Sequence, residues 1–180
     1  MQHLVLAVIL ALIIGLSYTA THWPGGLHMT FSQHAATNRW SKIFYSLLFT
    51  ATLPVFLWFI AGWLVPEKHL PDTFMWFASI AVIFQIACTW VPEVGGTRTV
   101  IHRTLTGISC VAMLPLVAML ATSSNLPTSA RVSAWVALVV MAALLLLLVL
   151  KNQIGQRWVL LLQIGCYAAF FGAILVTTYL

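Results

Sequence analysis

The sequence predicts an all-α polytopic membrane protein, a single transmembrane bundle of six helices over residues 1–180, and three observations predict it. Only 6% of the residues are charged and 62% are hydrophobic, against roughly 25% charged in a soluble domain. Six apolar runs each approach the ~20 residues needed to cross ~30 Å of hydrocarbon. Seven of the eight tryptophans fall near the ends of those runs, where an indole keeps its ring shielded and its N–H wet.

The first run, His3 to Thr21, has no basic segment ahead of it and is read as a retained helix, not a signal peptide. A connection of about twenty residues follows, Thr21 to Trp40, carrying Pro24-Gly25-Gly26, where about five would suffice. Its stretch His28 to Ala35 mixes apolar and polar residues without a breaker. It is expected to form a short amphipathic helix on the interface or a lid over a cavity between the helices, and the lid is favoured. The second run is Ile43 to Val65, stopped by Pro66 and Pro71, and the third is Phe74 to Val91, stopped by Pro92 and Gly95-Gly96. Thr104 to Ala121 precedes Asn125 and Pro127, Val132 to Leu150 precedes Asn152 and Gly155, and Trp158 to Tyr179 completes the set. Short gaps make sequential helices antiparallel neighbours. Trp23, Trp40, Trp63, Trp76, Trp90, Trp135 and Trp158 mark the interfaces, and only Trp58 lies deeper.

The net charge of +5 comes from basic residues scattered between apolar runs, which excludes a nucleic-acid patch. Arg39, Lys42, Arg98, Arg103, Lys151 and Arg157 fall in the first, third and fifth loops, and Lys68 and Arg131 in the second and fourth. The positive-inside rule then puts the odd loops in the cytoplasm and both termini outside.

A helix-pair repeat is expected between helices 1–2 and 3–4. Trp23, Gly25-Gly26, Lys42 and Leu53-Pro54 are echoed by Trp90, Gly95-Gly96, Arg103 and Leu114-Pro115, with the same twelve-residue step from basic residue to proline. Both prolines should release a backbone carbonyl near mid-membrane.

No ionisable residue lies at mid-depth, which argues against a buried-carboxylate proton pump. Thr50, Thr52, Gln85, Ser109 and Gln163 are deep but uncharged and are expected to hydrogen-bond between helices. Gly165, Ala169 and Ala173 form a small-residue stripe for close helix contact. Cys88, Cys110 and Cys166 lack a disulfide or metal-ligand spacing. All six histidines lie at helix ends or in loops, which disfavours a bis-histidine haem within the bundle. No cofactor and no metal are expected.

The chemistry-bearing residues cluster on one face, with His28, Ser32 and His34 in the first loop and Glu93, Arg98, His102 and Arg103 in the third. His28, Ser32, His34, Glu93 and His102 are the catalytic candidates, and of these His28, His34, His102 and Glu93 could ligate zinc or supply acid and base acting on a lipid head group. Arg98, His102, Arg103 and Gln85 are the candidate ligand-binding residues, the basic ones suited to an anionic head group.

Pro92, Gly95-Gly96, His102 and Pro115, with the first-loop segment from Pro24-Gly25-Gly26 through Ser32 to Ala35, resemble a broad family of six-helix prokaryotic membrane proteins of unknown function, distantly similar to the DRAM-like proteins. The resemblance implies a six-helix fold in a prokaryotic cytoplasmic membrane and draws attention to Ser32, Glu93 and His102. The leading expectation is a non-enzymatic binder of a lipid or small hydrophobic molecule, in a cavity opening toward the first and third loops. A His/Glu-dependent lipid-head-group hydrolase and a channel or transporter are the alternatives. Membrane lipids are the expected partners, nucleic acid is not, and a homo-oligomer is left open.

Overall fold

A computed structural model describes residues 1–23, 25–150 and 157–180. Pro24 of the first turn motif, and Lys151, Asn152 and Gly155 of the fifth loop, lie outside the described residues. Among the described residues the chain forms α1 (His3–His22), α2 (Phe31–Ala35), α3 (Arg39–Glu67), α4 (Asp72–Trp90), α5 (Gly96–Thr122), α6 (Thr128–Val149) and α7 (Val159–Tyr179). All but the five-residue α2 are long and apolar enough to cross a membrane. The protein is therefore a six-span, all-helical integral membrane protein. Its outer surface agrees: Ile14 on α1, Val111 on α5 and Val139 on α6 are each about two-thirds exposed, which hydrocarbon tolerates and water does not.

Sequential spans pack as neighbours, α1 on α3, α3 on α4, α4 on α5, α5 on α6 and α6 on α7. The ring is thinnest where it closes, because α7 meets α1 over only a few residues. Small residues allow the closest approaches. A side chain at Gly15 would run into Leu48 of α3, and one at Gly165 would come within 2.9 Å of Leu144 of α6. Ala130, Ala134, Ala137 and Met141 of α6 and Ala173 of α7 are buried in the α6 and α7 packing surfaces.

Three helices start at least four residues earlier than hydropathy predicts, among them α6, at Thr128 where Val132 is expected. The second span starts at Arg39, not Ile43, because Asn38 and Ser41 form a reciprocal cap: Ser41 N–H donates to Asn38 Oδ1 (2.9 Å) and Asn38 N–H to Ser41 Oγ (3.3 Å). The fourth span begins at Gly96 instead of Thr104, so Arg98, His102 and Arg103 ride on two helical turns that stand clear of the apolar stretch. Hydropathy reads lipid contact and is blind to a helix that continues past it.

Pro66 does not end α3. Residues Ile60–Leu64 widen into a π turn in which Val65 N–H reaches Ile60 O, and the helix passes Pro66 to end at Glu67. Proline has no N–H and its ring crowds the carbonyl four residues back, and a wider turn relieves both defects. His69, with φ of +48°, then turns the chain. Pro54 and Pro115 sit within α3 and α5, as expected.

The deep hydroxyls divide into two uses. Thr50 and Thr52 donate to carbonyls one turn back on their own helix, at 2.7 Å each, and Thr50 Oγ1 also accepts from Trp90 Nε1 of α4 at 3.1 Å. Ser46 Oγ donates across to Thr89 O on α4, and Ser109 Oγ to Ala81 O on α4, both at 2.8 Å. All three interhelical bonds tie α4 to its neighbours.

Candidate functional site

The connection between α1 and α3 folds back over the bundle as α2, and its local sequence dictates that helix. Thr30 is the N-cap: Gln33 N–H donates to Thr30 Oγ1 (3.2 Å) while Thr30 N–H donates to Gln33 Oε1 (2.8 Å). This T-x-x-Q capping box satisfies two backbone donors that a five-residue helix would otherwise leave open. Because its oxygen serves as the acceptor, the Thr30 hydroxyl proton is free to bond outward.

It bonds to Glu93. Thr30 Oγ1 and Ser32 Oγ sit 2.8 Å from one another and each 3.1 Å from Glu93 Oε2, their two protons shared among these contacts, and Arg103 approaches Glu93 Oε1 at 2.8 Å through both Nε and a terminal nitrogen. The Glu93 side chain is 5% exposed and that of Arg103 63%, so one buried carboxylate links the lid, the third loop and α5, with its counter-ion turned outward. Charge-assisted bonds of this kind are roughly twice as strong as neutral ones.

Three further bonds hold the lid. Phe31 N–H donates to Gln163 Oε1 on α7 (3.1 Å), and Leu160 N–H at the start of α7 donates to Leu27 O (3.1 Å). His34 Nδ1 lies 3.0 Å from Trp23 O. Trp23 is in turn fixed by Tyr18, edge-on at 5.4 Å, and by Phe44 at 5.7 Å.

Under the lid lies a cavity of about 450 Å³. Phe31 closes its upper wall, Phe49, Leu53 and Met113 line its body, and Phe170 and Phe171 form a wall on α7. Ile13, Ser17 and Thr21 of α1 and Ile164 and Ala168 of α7 line the cavity and are exposed, so it opens sideways between these two helices. This opening coincides with the thin seam of the ring.

The candidates from sequence divide accordingly. Ser32, Glu93 and Arg103 come together, and Thr30, absent from the expected set, joins them. His102 is buried, its Nδ1 2.9 Å from Cys88 O and 2.7 Å from Val91 O, so it satisfies carbonyls at the α4 C-terminus. His34 faces Trp23 O, while His28 and Arg98 are exposed. Among the described residues no three His, Cys, Asp or Glu side chains are placed to share a metal ion. Joint zinc ligation by His28, His34, His102 and Glu93 is thus not the geometry found. Gln85 lines the cavity and lies 3.3 Å from Ser109 Oγ. Gln163, expected to hydrogen-bond between helices, does so by anchoring the lid helix α2 to α7. Thr30 and Gln33 were detectable in principle from their capping-box spacing.

No family model, no curated protein and no solved structure matches the chain. Roles for the residues of the site therefore rest on its geometry.

Proposed function

We propose that the protein binds a lipid or small hydrophobic molecule, admitted from the bilayer between α1 and α7 and enclosed beneath α2. The observation that carries this reading is the sideways-opening apolar cavity under a hydrogen-bonded lid. Its volume of about 450 Å³ lies within the roughly 300–1,000 Å³ usual for small-molecule sites. In this reading Glu93 is a clasp. Its carboxylate orders Thr30 and Ser32 and so fixes where Phe31 closes the cavity. The prokaryotic family resemblance and the positive-inside count join the proposal, with the lid face cytoplasmic. The shared Leu-Pro steps support a common origin of the α1–α3 and α4–α5 hairpins.

A hydrolase reading draws on one contact, the Ser32 Oγ to Glu93 hydrogen bond. A transporter reading has less support, because Thr89 Oγ1 is spent on Ile86 O (2.8 Å) and does not line a path.

The test is native mass spectrometry of protein extracted in mild detergent, comparing the wild type with Ala78→Trp, which fills the cavity. A lipid adduct on the wild type that is lost from the variant is expected. Equal adducts on both, or none on the wild type, would overturn the proposal.

A further inference from the structure

The polar groups of the cavity are not evenly distributed. Along α1 it extends from Ile9 to Thr21, roughly 18 Å at ~1.5 Å per residue. That is close to the ~15 Å depth of one hydrocarbon leaflet. On α1 the hydroxyl-bearing lining residues, Ser17 and Thr21, lie at the lid end and Ile9 and Leu12 at the other, and on α7 Tyr167, which bears a hydroxyl, precedes Phe170 and Phe171 from the lid end. On α4 the same order recurs: Gln85 is nearer the lid-side terminus at Trp90, and Ala78 and Ala81 are deeper. The cavity therefore has a polar end at one membrane face and an apolar end near the bilayer centre.

Gln85 supplies an unfilled site at the polar end. Its side chain is buried, at 7% exposure, and lines the cavity. Among the described residues its amide contacts one hydrogen-bonding partner, Ser109 Oγ at 3.3 Å, and Ser109 has its single proton committed to Ala81 O at 2.8 Å. Ser109 is thus better placed to accept from the Gln85 NH₂ than to donate to its carbonyl. Whichever way the amide plane is turned, one of its two ends faces the cavity without a protein partner. A buried amide in that condition calls for a ligand that hydrogen-bonds.

Charge excludes one class of ligand. None of the described lining residues is Asp, Glu, Lys, Arg or His. An ionised head group at Gln85 would be desolvated without a counter-charge, which is strongly unfavourable.

We infer that the cavity takes a single-chain lipid with an uncharged, hydrogen-bonding head group, a fatty alcohol or monoacylglycerol in class, seated with its head at Gln85 and its tail toward the bilayer centre. This rests on the cavity reading above and specifies its ligand. The experiment uses the full chain in a sterol-based detergent, which offers no competing alkyl chain. The protein is incubated with hexadecanol, hexadecane or ionised palmitate and freed of unbound ligand, and the retained molecule is quantified by gas chromatography over a concentration series. Hexadecanol should bind about fivefold more tightly than hexadecane, the worth of one net hydrogen bond, and palmitate more weakly than hexadecanol. Gln85→Leu should bring hexadecanol down to the level of hexadecane while leaving hexadecane unchanged. Equal binding of alcohol and alkane by the wild type, or tighter binding of palmitate, overturns the head-group assignment while the cavity reading stands. Retention of none of the three overturns the cavity reading itself. The wild-type comparison decides the matter even if the variant does not fold.

Discussion

The α1–α3 and α4–α5 connections begin with the same elements, a tryptophan at a helix end, a proline and a Gly-Gly pair, yet the structure uses them for opposite purposes. In the shorter connection the glycines are needed for conformation: Gly95 has φ of +96° with ψ of 169°, Gly96 has φ of +58°, and neither has an atom within 4 Å of a would-be side chain. In the longer one the glycines are needed for space. A side chain at Gly25 would run into Met29 and approach His34 Cε1 at 2.9 Å, and one at Gly26 would displace the exposed His28 ring. A shared motif therefore fixes where the chain turns, and the residues that follow decide what the turn becomes. The Thr30 to Gln33 capping box makes a lid of one, while Gly95 N–H donating to Thr99 Oγ1 (2.7 Å) leads the other directly into a helix.

Removing Glu93 should break this pairing most severely, because its carboxylate joins the two connections. Glu93→Ala is expected to lower stability by about 3 kcal/mol, from the loss of two hydroxyl bonds to a charged group, with the screened Arg103 pair adding little. Thermal unfolding in detergent measures this, and limited proteolysis should show cleavage appearing between residues 25 and 38. A variant as protected as the wild type would refute the clasp. Next in size is the contrast between the glycines. Gly95→Ala should cost about 1–3 kcal/mol through backbone strain alone. Gly96→Asn should be milder, since Asn tolerates the left-handed region, whereas Gly25→Asn should loosen the lid by collision with His34. If Gly25→Asn leaves lid proteolysis unchanged while Gly95→Ala melts like the wild type, the assignment of roles is reversed.

The six spans were legible because lipid imposes an unbroken apolar run on every crossing, and the tryptophans marked their ends independently. The starts of α3, α5 and α6 were misplaced because these helices run on through polar and charged residues, Arg39 and Lys42, Arg98 and Arg103, Thr128 and Arg131, where hydropathy carries no signal. The continuation of α3 through Pro66 depends on a π turn that answers the proline's missing donor, and composition does not encode that response. Ser32, Glu93 and Arg103 were visible as neighbours once the loops shared a face. His102 could not be assigned from sequence, because its partners are backbone carbonyls of α4, which every residue possesses. The cavity was expected only as a consequence of a long loop. Its shape depends on which side chains fail to meet, and no linear pattern reports that.

The smallest effect, and the one that separates the lid from the clasp, concerns Gln163. Its Oε1 is the acceptor for Phe31 N–H, so Gln163→Leu leaves the Glu93 bonds intact and frees only the α7 side of α2. The net loss should be about 1 kcal/mol, a small shift in melting temperature. Because the bond sits beside Phe31, at the roof of the cavity, the change should appear as faster ligand dissociation with little change in lid proteolysis. Glu93→Ala, in contrast, should alter both. Retained lipid measured by native mass spectrometry over a time course after dilution distinguishes the two variants. If Gln163→Leu and Glu93→Ala release lipid at the wild-type rate, α2 is a structural strap that does not govern the cavity.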